Sequence, residues 1–124
     1  LGLSEVDRIH AEMEAIKTSV GFTGTLNEFF ASIRDAKDDE RHYYPDTDEG
    51  REAYIADATA AIDKIKAVLP QYFGLLPKAD LVVKRVEAFR EQPGAAQHYY
   101  PGTPDGSRPG IYYAHLSDMK AMPK

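Results

Sequence analysis

His98-Tyr99-Tyr100-Pro101-Gly102-Thr103-Pro104-Asp105-Gly106-Ser107-Arg108-Pro109-Gly110-Ile111-Tyr112-Tyr113-Ala114-His115-Leu116 is the stretch whose reading decides the fold class. Its first part is aromatic and rich in turn formers: Pro-Gly, Asp-Gly and a second Pro-Gly. Its last part, Gly110 to Leu116, is β-branched and aromatic and reads as a strand. A turn-rich aromatic loop running into such a strand usually builds one wall of a cleft. The chain carries no nucleophile elbow, no phosphate-binding glycine loop and no Cys/His pair to do chemistry there. The sequence therefore reads as a piece of an enzyme and not a whole one.

Upstream, Leu81-Val82-Val83-Lys84-Arg85-Val86-Glu87-Ala88-Phe89 reads as another strand, ended by Gln92-Pro93-Gly94. The two strands are expected to pair antiparallel across the long loop. Two strands alone are marginal in water, so further strands are expected from sequence outside this chain.

The N-terminal half has the other periodicity. Leu3, Val6, Ile9, Met13, Ile16 and Val20 recur at helical spacing. Ser4 with Asp7 reads as a capping box at the start, and Gly21 as the stop. Thr25 and Glu28 repeat the capping-box pattern before Leu26, Phe29, Phe30 and Ile33. Thr47 is the expected N-cap of a third, longest helix, with Asp48 and Glu49 at the positive end of its dipole. Its buried side is Tyr54, Ile55, Ala58, Ala61, Ile62, Ile65 and Leu69. Pro70 should end or kink it. The expected class is mainly α with a small β-unit (α+β): three amphipathic helices followed by two strands. Residues 1–76 form a helical part and 77–124 a strand and loop part of a single segment of a larger domain.

Composition narrows the partners. The chain has 124 residues, 43% hydrophobic and 28% charged, ordinary values for one soluble globular core. A net charge of −5 with scattered basic residues argues against nucleic acid. No apolar run reaches the length of a membrane span. Cysteine is absent, which excludes disulfides and Cys-ligated zinc. The first residues, Leu1-Gly2-Leu3, show neither an initiator Met nor a signal peptide, so a processed or excised segment is expected.

Candidate sites are few. His10 and Glu14 lie one helical turn apart, but two ligands do not make a metal site, and a solvated helix face accounts for them. The acidic residues of 35–52 lack the alternating ligands and central Gly of a calcium loop. Arg41-His42-Tyr43-Tyr44-Pro45 echoes Gln97-His98-Tyr99-Tyr100-Pro101, and recurrent turn chemistry explains it. Arg108 is more specific, because an Arg between two turns at the mouth of an aromatic strand is placed to fork onto a carboxylate. Tyr112 and Tyr113 point to opposite faces, with His115 on the side of Tyr113.

Four segments resemble one family. They are Gly2-Leu3-Ser4-Glu5-Val6 through Arg8-Ile9-His10-Ala11-Glu12-Met13; Tyr43-Tyr44-Pro45-Asp46-Thr47 with Gly50-Arg51; Leu69-Pro70 through Phe73-Gly74-Leu75-Leu76-Pro77-Lys78-Ala79; and Tyr100-Pro101-Gly102 through Asp105-Gly106-Ser107-Arg108-Pro109-Gly110-Ile111-Tyr112-Tyr113. In that order they are similar to the bacterial family called domain of unknown function 885. The resemblance implies a larger, mostly helical, zincin-like fold and a zinc-dependent peptidase as parent. The family's metal motif, a His-Glu followed shortly by Pro-Gly-His-His, lies downstream of the Gly110 strand, so zinc is expected in the parent and no metal or catalytic residue in this chain, which alone is expected to be inactive. By the same analogy Gly110 to Leu116 is the edge strand that pairs with a peptide substrate. Arg108, Tyr112 or Tyr113 would then bind substrate or stabilise an oxyanion. The implied partners are the remainder of the parent chain and a peptide. Many relatives are exported, so periplasm or cell envelope is the expected location. The alternative is a non-catalytic module in which the aromatic loop recognises a peptide or glycan. A third reading makes the segment a buttress for another domain.

Overall fold

A computed structural model describes residues 1–124 and contains three α-helices, α1 (Gly2–Ser19), α2 (Leu26–Asp35) and α3 (Asp48–Tyr72), and three strands, β1 (Leu81–Arg85), β2 (His98–Tyr100) and β3 (Gly110–Ala114). The class is mainly helical α+β, as the two periodicities indicated. The chain divides into two compact units, Leu1–His42 and Tyr43–Lys124.

In the first unit the Thr25 capping box forms as its spacing predicts. Glu28 N–H donates to Thr25 Oγ1 at 3.3 Å, and Thr25 N–H donates to a Glu28 carboxylate oxygen at 2.7 Å. The α1 stop is also as expected. Gly21 takes φ 82°, and the amides of Gly21 and Phe22 return to the carbonyls of Thr18 and Lys17, a Schellman closure that a residue with a Cβ would strain. The Ser4–Asp7 box does not form. The helix already begins at Gly2, so Ser4 sits inside the first turn and its hydroxyl donates to Leu1 O at 2.7 Å. The apolar face of α1 is solvent-exposed from Leu3 to Val20.

The second unit carries the sheet. Thr47 caps α3, its Oγ1 accepting from Gly50 N–H at 3.1 Å. Pro70 is accommodated inside the helix, which continues to Tyr72. Two expectations about the strands are corrected. β1 ends at Arg85, followed by a short 3-10 turn at Ala88–Arg90 instead of further strand. β1 and β3 pair parallel, not antiparallel, with Leu81 opposite Gly110 and Arg85 opposite Ala114. The physical reason is a third strand inside the stretch read as loop. β2 pairs antiparallel with β3, His98 opposite Tyr113 and Tyr100 opposite Ile111, giving the order β1-β3-β2. The chain turns back once before β2 and once after it, so β1 and β3 run the same way.

The core lies where β3 runs on beyond its ladder. Ala114, Leu116 and Met119 are fully buried against Tyr44, with Tyr54, Ile55, Tyr112 and Met122 around them. Side chains replace strands at the end of β3. Glu91 accepts from Leu116 N–H at 2.9 Å, Arg51 donates to Leu116 O at 2.8 Å, and the Gln97 amide accepts from His115 N–H at 2.7 Å. Every one of these backbone groups would otherwise be left unpaired near the core.

Tyr44 gives this core a pH signature. Its hydroxyl donates to Asp57 Oδ2 at 2.7 Å, and Tyr54 meets its ring edge-on at 5.6 Å. Burial, then the Asp57 carboxylate, push the Tyr44 phenol up to about 12. The folded state thus holds this proton more tightly than the unfolded chain, whose phenol titrates near ~10. The stabilisation is complete below that value and disappears as pH rises toward 12. Tyr44→Phe should cost about 1.5 kcal/mol near neutrality and should flatten the alkaline limb of the unfolding profile. An unchanged limb in the variant would show that Tyr44 does not carry it.

Candidate functional site

Alternation along β3 divides its side chains between two faces of the sheet. Tyr112 turns inward and joins the core beside Tyr54, whose phenol is raised by burial and by the neighbouring Tyr112 hydroxyl. Tyr113 turns outward and stacks on His98 across the β2–β3 pair, with ring centroids 5.1 Å apart and an interplanar angle of 22°. His98 Nδ1 and His115 Nε2 share a hydrogen bond of 3.2 Å. The other His115 nitrogen, Nδ1, is buried without a partner. The outer face therefore gathers Tyr113, His98 and His115 over one stretch of the sheet.

Arg108 belongs to the loop that leads into β3. Its guanidinium lies over the Tyr100 ring at 5.1 Å and donates to Pro101 O at 3.3 Å. It thus meets an aromatic face and a carbonyl, a use of the planar fork distinct from carboxylate pairing. The loop ties itself together. Thr103 N–H donates to Arg108 O at 3.1 Å, Arg108 N–H donates to Thr103 Oγ1 at 3.0 Å, and Ser107 N–H donates to Asp105 Oδ1 at 3.0 Å. Hydrogen bonds from Thr103 and Ser107 hold the Asp105 carboxyl at about 2. Gly102 is needed by close approach, since a Cβ there would stand 2.8 Å from both Arg108 O and Gly110 N.

The three residues singled out by sequence are thus not brought together. Arg108 sits at the loop with Tyr100, Tyr113 sits with the two histidines, and Tyr112 is on the inner face. His10 and Glu14 are exposed on α1, with Glu14 paired to Lys17 at 2.6 Å. No group of three or more His, Cys, Asp or Glu side chains is placed to hold a metal ion.

The sheet order overturns one expectation. Gly110–Leu116 is not an edge strand, because β3 is flanked by β1 on one side and β2 on the other. The ladder shows which backbone groups are free. Gly110 N–H donates to Asp80 O at 2.7 Å, and Val86 N–H donates to Ala114 O at 2.9 Å. Even-numbered residues of β3 therefore bond to β1, and odd-numbered ones to β2. Tyr99, opposite Tyr112, consequently aims its own N–H and C=O away from the sheet. The other border is occupied: Lys66 of α3 donates to Leu81 O at 2.9 Å, and α3 packs along β1. The exposed edge is β2, a strand absent from the sequence reading. Its signal was present in the alternation His98-Tyr99-Tyr100, three ring-bearing residues of high β-propensity masked by the turn formers that follow.

On the inner face a groove of about 570 Å³ runs between α3, the segment 76–81, Tyr99 and the 101–104 turn. It is walled largely by apolar side chains, and its Lys66 pairs with Asp80 at 2.6 Å and with Asp63 at 3.7 Å.

Comparison with known proteins bears on the whole segment. A family model described as "Bacterial protein of unknown function (DUF885)" matches residues 1–124. The crystal structure of "the putative lipoprotein from Colwellia psychrerythraea" is similar, with a TM-score of 0.76 and 32% sequence identity over 100% of this chain. The chain spans 21% of that protein's length. No curated protein matches.

Proposed function

We propose, from the premise that this chain belongs along its whole length to the bacterial family DUF885, that it is one segment of a larger zincin-like domain in a zinc-dependent peptidase. In this reading the helical part, 1–76, is scaffold, and the strand and loop part, 77–124, is one wall of the peptide cleft. The observation that carries the reading is the unpaired outer edge of β2, where Tyr99 offers its N–H and C=O beside an aromatic face. An extended peptide adds to such an edge by main-chain hydrogen bonds, which aligns it independently of its side chains. Arg108 and Tyr113, exposed or half-exposed on the outer face, are the candidates for substrate contact, and Tyr112 supports the sheet from within.

The residues of this chain do not fit a zinc site. Catalytic zinc takes three protein ligands, whereas only His98 and His115 meet here, and they bond to each other. The metal ligands and the catalytic carboxylate belong, in this proposal, to the remainder of the intact protein, and no step is drawn through zinc. An exported parent is part of the reading, and the name lipoprotein on the Colwellia psychrerythraea protein is compatible with it. No helix is long and apolar enough to cross a membrane. A second reading, a non-catalytic peptide- or glycan-binding module, is favoured by the exposed Tyr100 ring with Arg108 laid across it.

Zinc content and peptide hydrolysis of the intact protein, measured beside residues 1–124 alone, decide between them. The intact protein should hold stoichiometric zinc and hydrolyse peptides, and a chelator should remove both; the isolated segment should do neither. An intact protein that binds peptide or glycan without zinc or hydrolysis makes the module the better account.

A further inference from the structure

The groove on the inner face and the free edge of β2 share one residue. Tyr99 supplies a groove wall with its side chain and the unpaired N–H and C=O of the edge with its backbone. A strand that bonded to Tyr99 would place the side chain of its facing residue on the same side of the sheet as the Tyr99 ring. That side is the groove. Its other walls are aliphatic: Ile62, Ile65 and Leu69 on α3, with Leu76 and Leu81 opposite. A volume of about 570 Å³ falls among the roughly 300–1,000 Å³ of small-ligand clefts. Lys66 pairs with Asp80 at 2.6 Å and with Asp63 at 3.7 Å, while Lys78, which also lines the groove, forms no ion pair.

We infer that this groove is a side-chain pocket for an extended peptide paired along β2, taking an aliphatic residue into its apolar wall and an acidic residue two positions along, on the same face, against Lys78. The inference rests on the peptide-cleft reading above and adds the class of peptide. Burying an aliphatic side chain in place of a small polar one should favour binding roughly ten-fold or more. Lys78 is exposed, so its attraction is worth only a few-fold and should fade with salt.

The test uses the intact protein and matched fluorescent peptides with Leu or Ser at one position and Asp or Lys two positions along, with dissociation constants read by anisotropy. Leu-x-Asp should bind roughly ten-fold tighter than Ser-x-Asp. Ile65→Glu should cut that Leu-over-Ser ratio below about three-fold. Ile65 is 51% exposed, so the fold should tolerate the change; Ile65→Trp, which fills the groove without adding charge, should do the same. Lys78→Glu should abolish the preference for Asp over Lys. If the peptides bind but Leu and Ser are equivalent, or the preference survives both Ile65 variants, the pocket is overturned while the peptide cleft stands. If no peptide binds at all, the cleft reading falls and the pocket with it.

Discussion

Gly50→Ala is expected to destabilise the Tyr43–Lys124 unit by roughly 3 kcal/mol or more. Gly50 is the third residue of α3, and its amide is held by the Thr47 cap. Replacing a helical Gly by Ala ordinarily gains about 1 kcal/mol of helix propensity. Here a Cβ would stand 1.9 Å from Pro45 O and 2.9 Å from Pro45 C. Both are backbone atoms, so no rotamer change relieves the overlap. Either the first turn of α3 unwinds or Tyr43-Tyr44-Pro45 moves, and both tyrosines are buried. A shift there also disturbs Arg51, whose guanidinium holds Leu116 O and Asp46. The clash therefore outweighs the propensity. Gly2→Ala is the matched control, since it too lies in a first helical turn but has nothing within 4 Å of the added carbon. Denaturation midpoints should fall for Gly50→Ala and stay or rise for Gly2→Ala. A Gly50→Ala protein as stable as its parent would refute the close approach of Pro45.

The same glycine shows how far the sequence could be read. Thr47 as N-cap, Thr25 with Glu28 as a capping box and Gly21 as a stop are local signals, complete within five residues, and the structure uses each of them. The reason for Gly50 is also short in range, but it depends on the path of Pro45 through space, which no periodicity records. Strand pairing is less local still. A parallel β1–β3 pair demanded that something separate two strands in the chain, and that something, β2, is only three residues long and sits among turn formers. Without β2, the central strand β3 reads as an edge. Alternation alone places Tyr112 and Tyr113 on opposite faces, but which face is inner depends on α3 packing along β1. The partners of Leu116, Glu91 at 25 residues' separation and Arg51 at 65, carry no sequence signature at all.

Glu91→Gln is the second large effect, expected to cost about 3 kcal/mol at neutral pH. The Glu91 side chain is 4% exposed. Its carboxylate receives Arg85 Nε and Nη2, each at 2.9 Å, and the Leu116 amide at 2.9 Å. Glutamine keeps an acceptor for Leu116 but sets a donating NH₂ against a guanidinium that only donates. It also strips the charge that offsets the buried side of Arg85. Arg85 is 32% exposed, so solvent moderates the loss, which is why the low end of the range for broken buried pairs applies. Acid should reproduce the substitution. The paired guanidinium, against an opposing push from burial, holds the Glu91 carboxyl below the usual carboxylate value, helped by the Leu116 amide. The unfolded chain therefore binds this proton more readily than the folded one. The contribution is intact above the ordinary Glu value near ~4.3 and is lost as pH falls through the lower folded value. The stability gap between the native protein and Glu91→Gln should thus be constant from neutrality down to about pH 5 and narrow below about pH 4. Replacing both partners by leucine should recover only part of the loss, since it removes the guanidinium along with the pair but leaves the Leu116 amide without its acceptor. If the gap stays constant into acid, the charged pair is not its source, and the misfit of the glutamine NH₂ against its surroundings would have to supply it.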